Sequence, residues 1–195
     1  MYSIQHSLRA ITFSRAFCNL LNVMVIALCS APLLVNAQEK VNWLSWEQAV
    51  ELNKSRPRKV LVDVYTDWCG WCKVMDKNTF QQPQIAKYIN ETYYPVKFNA
   101  EQRSNLEFKS KVYNYVRQGS RGYHEFAAEL MNGKLSFPTV VFLDENLNVI
   151  QPVDGYQEPA RFQMIMTYFG KDIYKSMPWT KYEKQYSPTC SGKKP

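Results

Sequence analysis

Histidine is scarce in this chain: there are two in 195 residues, and His6 falls in an N-terminal stretch that reads as a leader. A cysteine-histidine protease would have to use His124 with no local support. A closed four-ligand zinc site would need that one histidine to converge with every cysteine beyond residue 37. A helix cap or a surface position accounts for His124 instead, and no metal or other cofactor is expected. Cysteine is too sparse for a disulfide scaffold. Of five, Cys18 and Cys29 lie in the leader, leaving Cys69, Cys72 and Cys190, an odd number where a framework wants an even one. Clustered basic residues are also missing. Lys171, Lys175, Lys181 and Lys184 stand among acids and the tail carries only Lys193-Lys194, so the net charge of +7 is a scattered, solvating one and a nucleic-acid partner is excluded. No internal repeat or low-complexity tract is present.

Arg9 and Arg15 precede an apolar stretch from Phe17 to Val35, and Val35-Asn36-Ala37 offers small residues where a signal peptidase reads. Residues 1–37 are therefore expected to be a cleaved signal peptide. The alternative is an uncleaved membrane anchor, against which Asn19, Asn22, Ser30 and Pro32 interrupt the stretch. Leu28 before Cys29 is too bulky for lipoprotein processing. Export puts the remaining cysteines in an oxidising compartment. There Cys69 and Cys72 pair with each other, and Cys190 is spare.

Ser45-Trp46-Glu47-Gln48 fits a capping box and opens a helix through about Leu52, followed by a polar linker over 54–58. Val60 to Tyr65 is a short β-branched run with a single charge, Asp63, and reads as a buried strand. A helix starts at Cys69, pauses near Asn78-Thr79 and resumes at Pro83, with Ile85, Ala86 and Ile89 on one face. Tyr93 to Ala100, Thr139 to Leu143 and Val149 to Val153 read as further strands, the last two joined by a turn at Asp144-Glu145-Asn146. Phe162, Ile165, Met166 and Phe169 recur at helical spacing in a last core helix. Strands alternating with helices imply an α/β sandwich. The segment 101–136 is too long for a simple connection. Within it, Leu106 to Val116 reads as a hairpin, and Tyr123, Phe126, Ala127, Leu130 and Met131 as a helical stripe ended by Asn132-Gly133.

The chemistry concentrates at Trp68-Cys69-Gly70-Trp71-Cys72-Lys73, where strand gives way to helix. A helix N-terminus favours a thiolate, so Cys69 is the expected nucleophile, exposed and low in pKa, while Cys72, one turn inward, resolves and is expected to be less exposed. Asp63, desolvated in its strand, can move a proton to or from Cys72; an edge position facing solvent is the other reading. Lys97 in the neighbouring strand is a candidate partner for Asp63, and alternation alone allows it equally to face outward. Pro138, after Phe137 and before a buried strand, is either an ordinary trans proline or a cis one that offers backbone groups to an extended substrate. Trp68 is expected to pack under the loop and Trp71 to contact a partner.

These residues resemble a known family. The run from Val62 to Lys73, Val96-Lys97-Phe98-Asn99, Phe137-Pro138-Thr139 and Gly155 resemble thioredoxins in motif, order and spacing over about Val41 to Gly170. Tyr-Thr-Asp-Trp-Cys-Gly-Trp-Cys-Lys with Asn78-Thr79-Phe80 is similar to exported bacterial thioredoxin-like proteins related to the C-terminal periplasmic domain of DsbD. The resemblance implies a thioredoxin fold, a central mixed sheet flanked by helices, with an insertion before the cis-proline strand. It implies Cys69 as nucleophile, Cys72 as resolving thiol, Asp63 as buried acid, Lys97 as its strand neighbour and Pro138 as the cis-proline. Trp71 where thioredoxin has proline, Phe137 before the proline, and the insertion depart from the pattern at positions that touch the partner. The expected organisation is a signal peptide over 1–37, a thioredoxin-like domain over 38–180 with the insertion around 101–136, and a C-terminal tail over 181–195. The expected function is a periplasmic thiol-disulfide oxidoreductase that reduces disulfides of exported proteins and draws electrons from a membrane donor. A disulfide oxidase or isomerase, and a non-catalytic partner-binding module, are the alternatives.

Overall fold

Ser45 sets the first helix. Its Oγ accepts the Gln48 N–H at 3.2 Å while the Gln48 side chain accepts the Ser45 N–H at 2.9 Å, a reciprocal cap that satisfies two otherwise orphaned donors. The computed structural model describes residues 39–186. The expected signal peptide, Cys18, Cys29, Cys190 and the end of the expected tail lie outside the described residues. Helix α1 spans Trp46–Ser55 and runs past Leu52 because Lys54 pairs with Glu51 and the Ser55 hydroxyl donates to the Leu52 carbonyl. Strand β1 follows at Val60–Tyr65, then helix α2 at Gly70–Met75, a π-helical turn at Asp76–Phe80, helix α3 at Pro83–Thr92 and strand β2 at Tyr94–Asn99. The helical crossover makes β1 and β2 parallel. Strands β7 at Thr139–Leu143 and β8 at Val149–Asp154 complete an antiparallel side, giving the order β2-β1-β7-β8. Helix α5 at Pro159–Gly170 closes the second face.

Alternation along β1 divides the core. Val60, Val62 and Val64 face one layer, with Trp46 and Ala49 of α1; Leu61 faces the other, with Ile85 and Ile89 of α3 and Phe162, Met166 and Phe169 of α5. Helices cover both faces, which is why β1 reads as an almost unbroken apolar run. Asp63 shares the Leu61 face by the same alternation.

The insertion differs from its expected form. It contains two hairpins, β3 at Leu106–Phe108 with β4 at Lys111–Tyr113, and β5 at Tyr115–Gln118 with β6 at Arg121–His124. Helix α4 then spans only Glu125–Leu130. Tyr123 has helical spacing to Phe126 and Ala127 but is extended and paired with Val116. The reason is His124: its Nδ1 accepts the Phe126 N–H at 3.2 Å and caps α4, and its Nε2, which then carries the proton, donates to the Ser104 carbonyl at 3.1 Å. His124 is thus a cap, but a fully buried one rather than a surface residue, and burial lowers its pKa. Phe126 sits 4.5 Å from Trp46 and 5.0 Å from Tyr113 ring to ring, so the insertion supplies part of the first core layer. Full burial of such a ring stabilises by roughly 2–3 kcal/mol.

Packing also continues beyond residue 180. Helix α6 at Trp179–Gln185 buries Tyr182 against Tyr168, ring centroids 5.0 Å apart, so residues 181–185 belong to the folded unit and not to a tail. Among the described residues no helix is long and apolar enough to cross a membrane.

Candidate functional site

After β1 the chain turns through Thr66, Asp67 and Trp68, and Cys69 becomes the N-cap of α2. The Cys69 N–H donates to the Thr66 carbonyl at 3.1 Å, and the Cys69 Sγ accepts the Cys72 N–H at 3.0 Å. Cys69 and Cys72 are joined in a disulfide, their Cα atoms 5.3 Å apart. An amide aimed at Sγ is the local arrangement that favours a thiolate once the bond is reduced. Both cysteines are nearly closed off, Cys69 at 4% and Cys72 at 7% exposure. This corrects the expectation of an exposed Cys69 and a more hidden Cys72. The flanking Trp68 and Trp71 occupy the exposed positions, at 51% and 62%, whereas Cys72 opens onto a cavity of about 330 Å³.

That cavity collects the charged groups. Asp63 lies 2% exposed, and register places it beside Lys97 on β2. The Lys97 Nζ is 3.7 Å from the Asp63 carboxylate and 3.2 Å from the carboxylate of Asp76, above the rings of Trp43 and Tyr65 at 5.2 and 5.5 Å. Burial pushes the Asp63 pKa up to about 7; Lys97 pulls it down and Asp76 adds to the rise. Cys72, Asp63, Asp76 and Lys97 all line the cavity, as does Thr66, whose buried hydroxyl has no hydrogen-bond partner among the described residues. Asp76 was not among the residues expected from the sequence. Its signal is position: four residues beyond Cys72, it stands one turn further along the same helical face.

A second set of groups flanks the cysteines. Trp68 meets Phe137 edge to face at 5.9 Å, and the guanidinium of Arg121 lies over the Trp68 ring at 4.5 Å. Trp68 is therefore packed on one edge and open on the other. The Phe137–Pro138 peptide is cis. Gly155, at φ +80°, donates its N–H to the Pro138 carbonyl at 2.8 Å, a turn that sets Tyr156 5.5 Å from Trp71. The result is an amide-stabilised Cys69 sulfur bonded to a Cys72 that shares a cavity with a titratable acid, between two aromatic pairs. Such an arrangement can hold a thiolate, pass a proton and receive an extended chain.

Residues 24–168 match the family model described as Thioredox_DsbH, Protein of unknown function, DUF255. The thiol:disulfide interchange protein DsbD of Photorhabdus laumondii is 27% identical over 139 residues, 70% of this chain and 20% of that protein. Spermatogenesis-associated protein 20 of Rattus norvegicus is 29% identical over 92 residues, 46% of this chain and 11% of that protein. The matched stretch is thus a fifth or less of these relatives' own length. Among solved structures, a thioredoxin-fold protein from Helicobacter pylori superposes with a TM-score of 0.51 at 18% identity, covering 66% of this chain and 80% of that one, a likeness of fold.

Proposed function

The chain belongs to the thioredoxin-like family described as Thioredox_DsbH, DUF255, and from that premise we propose that it is a thiol-disulfide oxidoreductase that reduces disulfides of exported polypeptides. The observation that carries this reading is the Cys69 sulfur held by the Cys72 amide, with Asp63 opening on the same cavity as Cys72.

In the forward cycle the Cys69 thiolate attacks one sulfur of a substrate disulfide. A mixed disulfide forms and one substrate thiolate leaves. Cys72 then loses its proton to Asp63, whose pKa near 7 suits it to accept one at neutral pH. Both groups line the cavity of about 330 Å³, which has room for water. The Cys72 thiolate attacks the Cys69 sulfur, the intramolecular disulfide reforms, and the second substrate thiolate leaves. Two electrons have passed from the cysteine pair to the substrate, and a reduced donor must return them. Lys97 holds the Asp63 proton affinity near neutrality by opposing the effect of burial. Trp68, Trp71, Phe137 and Pro138 form the surface on which the substrate segment lies. The periplasm is the proposed compartment, with residues 1–37 as the export signal and a membrane protein as the electron donor.

The test is single-turnover reduction of a disulfide-bonded polypeptide such as insulin by the pre-reduced full chain. Cys69→Ser is expected to abolish it, and Cys72→Ser to stall it at a mixed disulfide. Undiminished reduction by Cys69→Ser would overturn the assignment. Equilibration with glutathione tests direction: a potential near the thioredoxin value of about −270 mV supports a reductase, and one near about −120 mV makes the protein an oxidant.

A further inference from the structure

The inserted hairpin β5–β6 stands outside the four-stranded sheet, yet it reaches Trp68, the residue before Cys69. Its pairing puts Gln118, Arg121 and Tyr123 on one face, and these line a notch of about 120 Å³ together with Trp68 and Phe137. The opposite face is locked. A Cβ on Gly122 would come within 2.4 Å of the Tyr115 ring, so only glycine lets that ring close across the strand pair, and Arg103 lies over the same ring at 5.4 Å. The hairpin is therefore a positioned wall.

Its charge is one-sided. Residues 115–124 contain Arg117 and Arg121 and no acid. Neither these two nor Arg103 forms an ion pair among the described residues. Glu101 lines the same notch, but Arg121 stacks on Trp68 instead of pairing with it. Stacking fixes the guanidinium plane and leaves its N–H edges for a bidentate carboxylate. The cavity beside Cys72 has the opposite balance, with Asp63, Asp67 and Asp76 against Lys73 and Lys97. An acidic group of a polypeptide crossing the cysteines meets no net cationic charge at one end and the Arg121 guanidinium at the other.

We infer that the hairpin is a specificity-determining wall of the partner groove, and that Arg121 binds a carboxylate of the partner polypeptide, an Asp or Glu close to its disulfide-bonded cysteine, in the notch beside Trp68 and Phe137. This rests on the redox reading above. The test uses three disulfide-bonded peptides, identical except for Glu, Gln or Lys beside one cysteine, each reduced in a single turnover by the pre-reduced full chain. The expected order of rate constants is Glu, Gln, Lys, with about a tenfold span between Glu and Lys at low ionic strength, shrinking in about 0.5 M salt. Arg121→Glu inverts the order. Arg121→Lys keeps it with a smaller span and decides the matter if the reversal variant does not fold. Arg117→Glu, on the other face of the hairpin, leaves the order in place. Equal rates for the three peptides, or the same span in wild type and Arg121→Glu, overturn the role of Arg121 and spare the redox reading. Reduction of none of them removes the redox reading, and this inference with it.

Discussion

Lys59 and Asp63 stand four positions apart, one just before β1 and one within it, and both are almost fully buried, at 5% and 2% exposure. Their surroundings could hardly differ more. The Lys59 ammonium reaches Glu145 at 2.6 Å and Asp172 at 2.9 Å, so it ties the start of the sheet to the β7–β8 turn and to the segment after α5. Burial alone would lower its pKa, but the hydrogen bonds to the two carboxylates outweigh it and hold the group above its ordinary value. Among the described residues Asp63 has one cation, at 3.7 Å, and shares it with Asp76. A long side chain can carry its charge out to partners at the rim, whereas a short one leaves the charge where the backbone puts it. A buried charge with close partners is a clamp. A buried charge with a distant, shared partner titrates near neutrality.

The largest effect is expected from breaking the clamp. Glu145→Gln combined with Asp172→Asn strands the Lys59 ammonium and should cost about 3–5 kcal/mol in urea unfolding, whereas Lys59→Met should cost only about 1–2 kcal/mol. The carboxylates left by Lys59→Met are 39% and 41% exposed and can rehydrate. Equal losses would show that the clamp is not where the stability lies.

Removing the titrating charge should act in the opposite direction. The folded-state pKa of Asp63 is raised to about 7, so the folded form holds a proton that the unfolded chain releases near pH 4. Its contribution is fully present below about pH 4 and is lost as pH rises to about 7. Asp63→Asn is then expected to be more stable than wild type at pH 8, by up to about 4 kcal/mol, with the gap closing in acid, while disulfide exchange slows. A gap independent of pH would contradict the assignment.

Lys97→Met should raise the Asp63 pKa further, moving that stability transition to higher pH and slowing exchange at pH 7 by about tenfold. The smallest effect belongs to Asp76→Asn. It should lower the Asp63 pKa, a shift readable by carboxyl-carbon NMR and opposite in sign to that of Lys97→Met.

The scaffold around these charges is legible where periodicity is local. The Ser45 and Gln48 cap, the Val60 to Tyr65 run and the Phe162 to Phe169 stripe each occupy the expected element. The insertion is less legible because Tyr123 satisfies two periods at once, helical toward Phe126 and alternating toward Val116. The choice falls to the His124 cap and its bond to the Ser104 carbonyl, twenty residues back. Tyr182 likewise falls in the expected tail until Tyr168 is placed beside it.

At the site, the sequence alone determines that two cysteines start a helix after a buried strand, and that the acid within this strand has apolar neighbours. These are properties of a few consecutive residues, set by alternation and helix geometry. The tertiary structure alone decided that Lys97 lies between Asp63 and Asp76, that Cys72 opens on their cavity, and that Arg121 covers Trp68. Each of those depends on strand register or on how separate segments pack. Coulombic and desolvation energies follow distance and burial in space, which separation along the chain does not encode.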